Sequence, residues 1–158
     1  MSTALKNLSS SKDDFVPSGK DGIYGIVVSE WNREITEALL EGAVSTLIEN
    51  NVDEKDIYVQ YVPGSFELPL GASKLVEKKR FDAVICLGCV IQGETRHFDF
   101  ICDAVANGIM DVSLRKDIPV VFGLLTTNTL EQAKARSGGE HGNKGVEAAI
   151  TALKMADL

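Results

Sequence analysis

An α/β domain of three layers, a four-stranded parallel sheet flanked by helices on both faces, is what the sequence predicts, and two observations carry it. From Asp21 onward, short β-branched runs alternate with longer helical patterns, the rhythm of a parallel sheet wrapped by helices. Two of those runs, Ala83 to Val90 and Pro119 to Leu125, are almost wholly apolar, as strands covered on both faces are. With 158 residues, 44% hydrophobic and 25% charged, the chain suits one domain. At this length it can bury roughly 68–70% of its unfolded surface and needs no disulfide or metal staple.

Residues 1–20 are mostly polar and include the serine run Ser9 to Ser11, so a flexible N-terminal arm is expected there and a folded domain over 21–158. Ile23 to Ser29 is the first strand and Ile57 to Val62 the second, each ending in a turn signal; the two apolar runs are the third and fourth. Helices are expected from about Glu34 to Asn50, Glu67 to Lys79, Arg96 to Lys116, Leu130 to Ala135 and Gly145 to Met155. In the first helix Ile35, Leu39, Leu40, Ala43, Val44, Leu47 and Ile48 cover an arc of roughly 220° at 100° per residue, more than a helix on one sheet needs. Tight packing within three layers and contact with another subunit are the two readings of that excess.

Sixteen basic against 23 acidic residues give a net charge of −7, the wrong sign for a nucleic-acid partner. No apolar run approaches the ~20 residues of a membrane span, and Met1 to Val16 lacks a signal-peptide core, so a cytoplasmic protein is expected. Cys86, Cys89 and Cys102 are odd in number and set in apolar surroundings, which reads as reduced, buried thiols.

In open parallel sheets ligands sit beyond the carboxyl ends of the strands. The exits here are Glu30-Trp31-Asn32, Pro63-Gly64-Ser65-Phe66-Glu67, Gly88-Cys89-Val90-Ile91-Gln92-Gly93-Glu94-Thr95-Arg96-His97 and Thr126-Thr127-Asn128, which bring aromatic faces, hydroxyls, a carboxylate and a histidine to one edge. Gly88 to Thr95 narrowly misses a nucleotide phosphate loop, with Glu94 where the lysine is required, which argues against a nucleoside triphosphate. A glycine-containing loop entering a helix still suits a small phosphate, although a plain strand-to-helix turn is the commoner meaning of two glycines. His97 falls in the first turn of that helix, where the positive dipole end opposes an imidazolium and leaves a proton acceptor; a lone histidine is more often a surface or capping residue.

Cys86 and Cys89 form a C-x-x-C, but side chains at i and i+3 of a strand point to opposite faces, so no metal site is expected. A Cys89–His97 nucleophile and base pair is a further reading, though no group near Cys89 lowers its pKa. Arg136 to Gly145 holds four glycines with Arg136, His141 and Lys144: a solvated linker, or a loop that brings cations to a phosphate. Phosphoacceptor receivers and flavodoxins both fail on residue type, the first for lack of an acidic third exit, the second because Glu30-Trp31-Asn32-Arg33 replaces its phosphate loop.

Taken together, Val62-Pro63-Gly64-Ser65-Phe66-Glu67-Leu68-Pro69, Gly88-Cys89-Val90-Ile91 through His97-Phe98, Phe122-Gly123-Leu124-Leu125-Thr126 and Gly142-Asn143-Lys144-Gly145 resemble the signature blocks of the 6,7-dimethyl-8-ribityllumazine synthase family, in order and at family spacing, from about Tyr24 to Leu153. The resemblance implies a flavodoxin-like sandwich and condensation of 5-amino-6-(D-ribitylamino)uracil with 3,4-dihydroxy-2-butanone 4-phosphate, losing phosphate and water, without a metal or organic cofactor. It implies that Trp31 stacks on the pyrimidine and Asn32 helps hold it, that Ser65, Phe66 and Glu67 take the ribityl chain, and that Cys89, Val90 and Ile91 line the ring pocket. Glu94 and Thr95 would bind phosphate through backbone N–H groups and His97 would move protons, while Phe122, Arg136 and Lys144 would act from an adjacent subunit. Assembly would be a homo-oligomer, a pentamer, and the short turn from Arg136 to Gly145 favours an icosahedral capsid of about 60 chains. Trp31 stands where Phe is more frequent and Gln92 where a basic residue is frequent. The competing class is a non-catalytic shell or flavin-binding protein on the same scaffold, against which His97, Arg136 and Lys144 speak.

Overall fold

The structure is a computed structural model that describes residues 15–158. Four parallel strands, β1 (Tyr24–Ser29), β2 (Ile57–Val62), β3 (Ala83–Ile91) and β4 (Val120–Thr127), form one sheet in the order β2-β1-β3-β4. The helices are α1 (Arg33–Glu49), α2 (Leu68–Lys78), α3 (His97–Lys116), α4 (Leu130–Ala135) and α5 (Lys144–Ala156). One core joins Ile26, Val28, Ile85 and Leu87 to α1 and α5 residues such as Leu39, Leu47 and Leu153; the other joins Val27, Val84 and Cys86 to Leu68, Leu75, Val105 and Ile109 of α2 and α3. The three layers follow from strict alternation along β1 and β3, which sends successive side chains to opposite faces of the sheet. Among the described residues no helix is long and apolar enough to cross a membrane.

Of the arm expected over residues 1–20, residues 1–14 lie outside the described residues. Pro17 and Gly19 are buried, and the Gly19 N–H donates to the Asn50 carbonyl at 2.7 Å. Packing against the domain therefore begins ahead of Asp21.

Two expectations change, and of the two readings of the α1 arc the structure favours packing within the chain. The fourth strand was expected to be covered on both faces, yet β4 ends the sheet, and Phe122 and Thr126 stay exposed on the face where Val120 and Leu124 are buried. The wide apolar arc of α1 is taken up largely inside the chain, because α1 packs against both the sheet and α5: Leu39, Ala43 and Leu47 are buried, Leu40 and Val44 partly so, and Ile48 is exposed.

The segment from Arg136 to Gly145 is neither linker nor open loop. β5 (Ser137–Gly139) and β6 (Gly142–Asn143) pair antiparallel, with Gly138 and Gly142 at φ 118° and 76°, a conformation that side-chain-bearing residues rarely adopt. Asn143 Oδ1 then accepts from the Gly145 and Val146 N–H groups and caps α5, while its Nδ2 donates to the Ala38 carbonyl at 2.9 Å. Gly145 lies so close to α1 that a Cβ there would stand 1.9 Å from the Leu39 carbonyl oxygen. The ribbon thus clasps α5 to α1.

Candidate active site

Beyond the carboxyl ends of β1, β2 and β3 lies a cleft of about 330 Å³. It is lined by Trp31, Asn32, Gly64, Ser65, Phe66, Glu67, Cys89, Val90, Ile91, His97 and Ile101. Backbone bonds fix the first two exits to each other: the Glu30 N–H donates to the Val62 carbonyl at 2.8 Å and the Trp31 N–H to the Pro63 carbonyl at 3.2 Å. The chain then turns into α1 through Asn32, whose φ of 58° lies in the left-handed region that Asn tolerates better than most residues. Its side-chain Nδ2 donates to the Cys89 carbonyl at 3.0 Å, which ties the exit of β1 to that of β3. Asn32 itself lines the cleft.

Ser65 to Glu67 form a single 3-10 turn after β2, held by the Glu67 N–H on the Gly64 carbonyl, and Pro69 sits in the first turn of α2, where no N–H is needed. That turn begins the next helix one residue later than expected. Trp31 and Phe66 are 71% and 56% exposed, large apolar faces that open onto the cleft instead of the core. Such aromatic surface beside Asn32, Glu67 and His97 suits a planar ligand that carries polar groups.

The loop after β3 is closed by Gln92, whose backbone N–H donates to the Thr127 carbonyl and whose Nε2 donates to the carbonyls of Gly93 and Thr95. The His97 N–H donates to Thr95 Oγ1 at 3.4 Å. The N–H groups of Glu94 and Thr95 have no acceptor among the described residues and sit ahead of α3, the arrangement an anion requires. Neither residue lines the cleft itself, to which the next contribution of this chain segment is His97.

Cys86 and Cys89 belong to the two different core clusters, on opposite faces of β3. Burial pushes the Cys86 thiol up to about 12 and the Cys89 thiol up to about 11. A thiol raised this far holds little thiolate at neutral pH, which argues against the Cys89–His97 nucleophile pair.

The structure brings nine of the expected residues together: Trp31, Asn32, Ser65, Phe66, Glu67, Cys89, Val90, Ile91 and His97. It keeps three away from the cleft of their own chain. Phe122 is 42% exposed in the middle of β4, Arg136 Nη1 donates to the Gln132 carbonyl, and Lys144 Nζ pairs with Glu147 at 2.6 Å. Sequence reasoning missed Ile101, one turn after His97 on the same helix face, a spacing that could have found it. It also missed that Gln92 shapes the loop, since its partners are backbone carbonyls that no side-chain pattern reveals.

Comparison with known proteins adds the rest. The family described as 6,7-dimethyl-8-ribityllumazine synthase matches residues 23–158. A protein named 6,7-dimethyl-8-ribityllumazine synthase from Cytophaga hutchinsonii is 60% identical over 155 residues, 98% of this chain and 97% of its own. Proteins of the same name from Parabacteroides distasonis and Porphyromonas gingivalis are 53% and 52% identical over 158 residues, covering 100% of this chain and 99% and 98% of theirs.

Proposed function

The chain belongs to the 6,7-dimethyl-8-ribityllumazine synthase family, and from that premise we propose that its strand-exit cleft condenses 5-amino-6-(D-ribitylamino)uracil with 3,4-dihydroxy-2-butanone 4-phosphate. The products are 6,7-dimethyl-8-ribityllumazine, phosphate and water, a transferase step of riboflavin biosynthesis. The observation that carries this reading is the convergence of two exposed aromatic faces, a hydroxyl and carboxylate pair and a histidine on one cleft from three strand exits.

In this reading Trp31 stacks on the pyrimidine and Asn32 holds it through Oδ1, since Nδ2 is engaged by Cys89. Ser65, Phe66 and Glu67 take the ribityl chain, and Cys89, Val90 and Ile91 form the wall behind the ring. The phosphate lies against the free N–H groups of Glu94 and Thr95. The aromatic amine attacks the ketone and one water leaves as the imine forms, phosphate is eliminated, and the second amine closes the ring on the remaining carbonyl with loss of a second water. None of these steps needs a strong nucleophile; each needs orientation and a proton carrier, which is the part His97 plays.

Phe122, Arg136 and Lys144 enter from an adjacent subunit. Supporting this, all three stand away from the cleft of their own chain, and Phe122 lies open on an edge strand. Repeated head-to-tail contact of one cleft with the next chain closes a ring, here a pentamer, and the compact β5–β6 ribbon leaves room for pentamers to pack into a cytoplasmic icosahedral capsid.

An absorbance assay with the two substrates tests the activity: appearance of the lumazine product is expected, and binding of a flavin without turnover would point to the non-catalytic class. Sedimentation tests the assembly separately. A particle far above the about 85 kDa of five 17.1 kDa chains is expected, and a species at that mass would remove the capsid and leave the activity standing.

A further inference from the structure

Between β3 and α3 the chain runs through Gln92, Gly93, Glu94, Thr95 and Arg96, all of them exposed. A Cβ on Gly93 would meet nothing within 4 Å, so no side chain packs against the loop at that point. Hydrogen bonds hold its shape instead, and three of them come from Gln92. The Gln92 N–H donates to the Thr127 carbonyl at 2.8 Å, which continues the β3–β4 pairing just past the Ile91 and Thr127 partners. The Gln92 Nε2 donates to the Gly93 carbonyl at 2.8 Å and to the Thr95 carbonyl at 3.3 Å.

Those two carbonyls decide where N–H groups point. A trans peptide is planar, with its C=O and the N–H of the next residue on opposite edges. Drawing the Gly93 carbonyl onto the Gln92 amide therefore turns the Glu94 N–H away from that amide. The Thr95 carbonyl is drawn to the same nitrogen, so the Thr95 N–H belongs to the one peptide lying between two that are held. Neither the Glu94 nor the Thr95 N–H has an acceptor among the described residues. Without a donor at position 92, both carbonyls would be left to water, and the exposed peptides could rotate and carry the Glu94 N–H with them.

We propose that Gln92 is a positioning residue for the four-carbon phosphate substrate, its side-chain amide holding the peptides of the loop so that the N–H groups of Glu94 and Thr95 stand ready for the phosphate. This rests on the placement of the phosphate at those two N–H groups. The amide is neutral, so it contributes orientation and no charge attraction. Its own place is set by the β3–β4 ladder, and donors oriented before the phosphate arrives cost no ordering when it binds. The phosphate released by the reaction meets the same donors, so inorganic phosphate reports on them directly.

Steady-state kinetics of Gln92→Met test it, since methionine keeps the length and the backbone bond to Thr127 and removes both side-chain donors. The KM of the phosphate substrate and the inhibition constant of inorganic phosphate should rise together by about 3–10-fold, the worth of one misaligned hydrogen bond, with the pyrimidine KM within twofold. Gln92→Lys returns a donor at similar reach and should bring both constants back to the parent values or below. Constants unchanged in Gln92→Met, or left as high in Gln92→Lys as in Gln92→Met, would overturn the proposal. So would an equal rise in KM for both substrates, the mark of a loop that only shapes the cleft, or a fall in kcat alone, which would put the effect at His97. Glu94→Pro, measured against Glu94→Ala, deletes one N–H and reads the phosphate placement by itself. If it raises the inhibition constant of inorganic phosphate and Gln92→Met does not, the role of Gln92 falls alone; if neither raises it, the placement falls as well.

Discussion

Asn32 holds two jobs that substitution can separate. Its backbone sits at φ 58°, and its side chain carries the 3.0 Å bond to the Cys89 carbonyl. Asn32→Ala loses the bond, about 0.5–1.5 kcal/mol, and gives up the tolerance of the left-handed region that Asn has over Ala, part of the about 1–2 kcal/mol that region costs a residue, for a total of about 1–3 kcal/mol. Asn32→Gly relieves the backbone and loses only the bond, so it should be more stable than the Ala variant by about 1 kcal/mol. Asn32→Asp keeps the backbone tolerance but sets a carboxylate against a carbonyl; it should be weak at neutral pH and recover as acidification protonates the carboxyl and makes it a donor. Urea unfolding at one fixed protein concentration measures all three, and calorimetric titration with the pyrimidine should show weakened binding in each. A Gly variant as unstable as the Ala variant would refute the argument, since the left-handed backbone would then cost nothing.

Other consequences are as direct. Gly145→Ala places a Cβ against the Leu39 carbonyl, a backbone atom that cannot yield unless α5 moves off α1, and should lower stability by at least the about 1–3 kcal/mol of an overpacked core; an unchanged melting temperature would contradict the clasp. Iodoacetamide should label Cys102 alone in the native protein, with Cys86 and Cys89 reacting only after unfolding. Because burial, then Asp103 and Asp99, raise the Cys102 thiol above its ordinary value, its thiolate fraction grows only at higher pH, and labelling should still accelerate past pH 9. Rapid labelling of Cys89 at neutral pH would reopen the nucleophile reading. Arg136→Ala should weaken the four-carbon phosphate substrate much more than the pyrimidine, as loss of a charge-assisted phosphate contact does, and equal weakening of both would contradict its assignment.

The strand exits were legible because the strands themselves are: β-branched apolar runs bounded by turn residues place four carboxyl ends, and β1 to β3 fall within a residue of expectation. Nine of the residues converging on the cleft followed from that placement. The β5–β6 ribbon was not legible, since strands of three and two residues are too short to show a period, and the partner of Asn143 is Ala38, 105 residues earlier. Sequence spacing reads glycines and cations there as a loop for phosphate; only the folded chain shows that Asn143 and Gly145 serve the α1–α5 contact. The same contact explains why the apolar arc of α1 looked too wide for one sheet.

The claim on which the account turns is that each cleft is completed by the neighbouring chain, and mixed assemblies test it most directly. His97→Ala should slow single turnover by roughly 10²–10⁴-fold, and Arg136→Ala chains are expected to be nearly inactive at low phosphate substrate. Unfolded, mixed in equal amounts and reassembled, the two should recover about a quarter of the parent turnover, since in random rings about one cleft in four pairs an intact His97 with an intact Arg136 from the next chain. Full assembly with no turnover above that of the separate variants would place both residues in one chain's site and contradict the account.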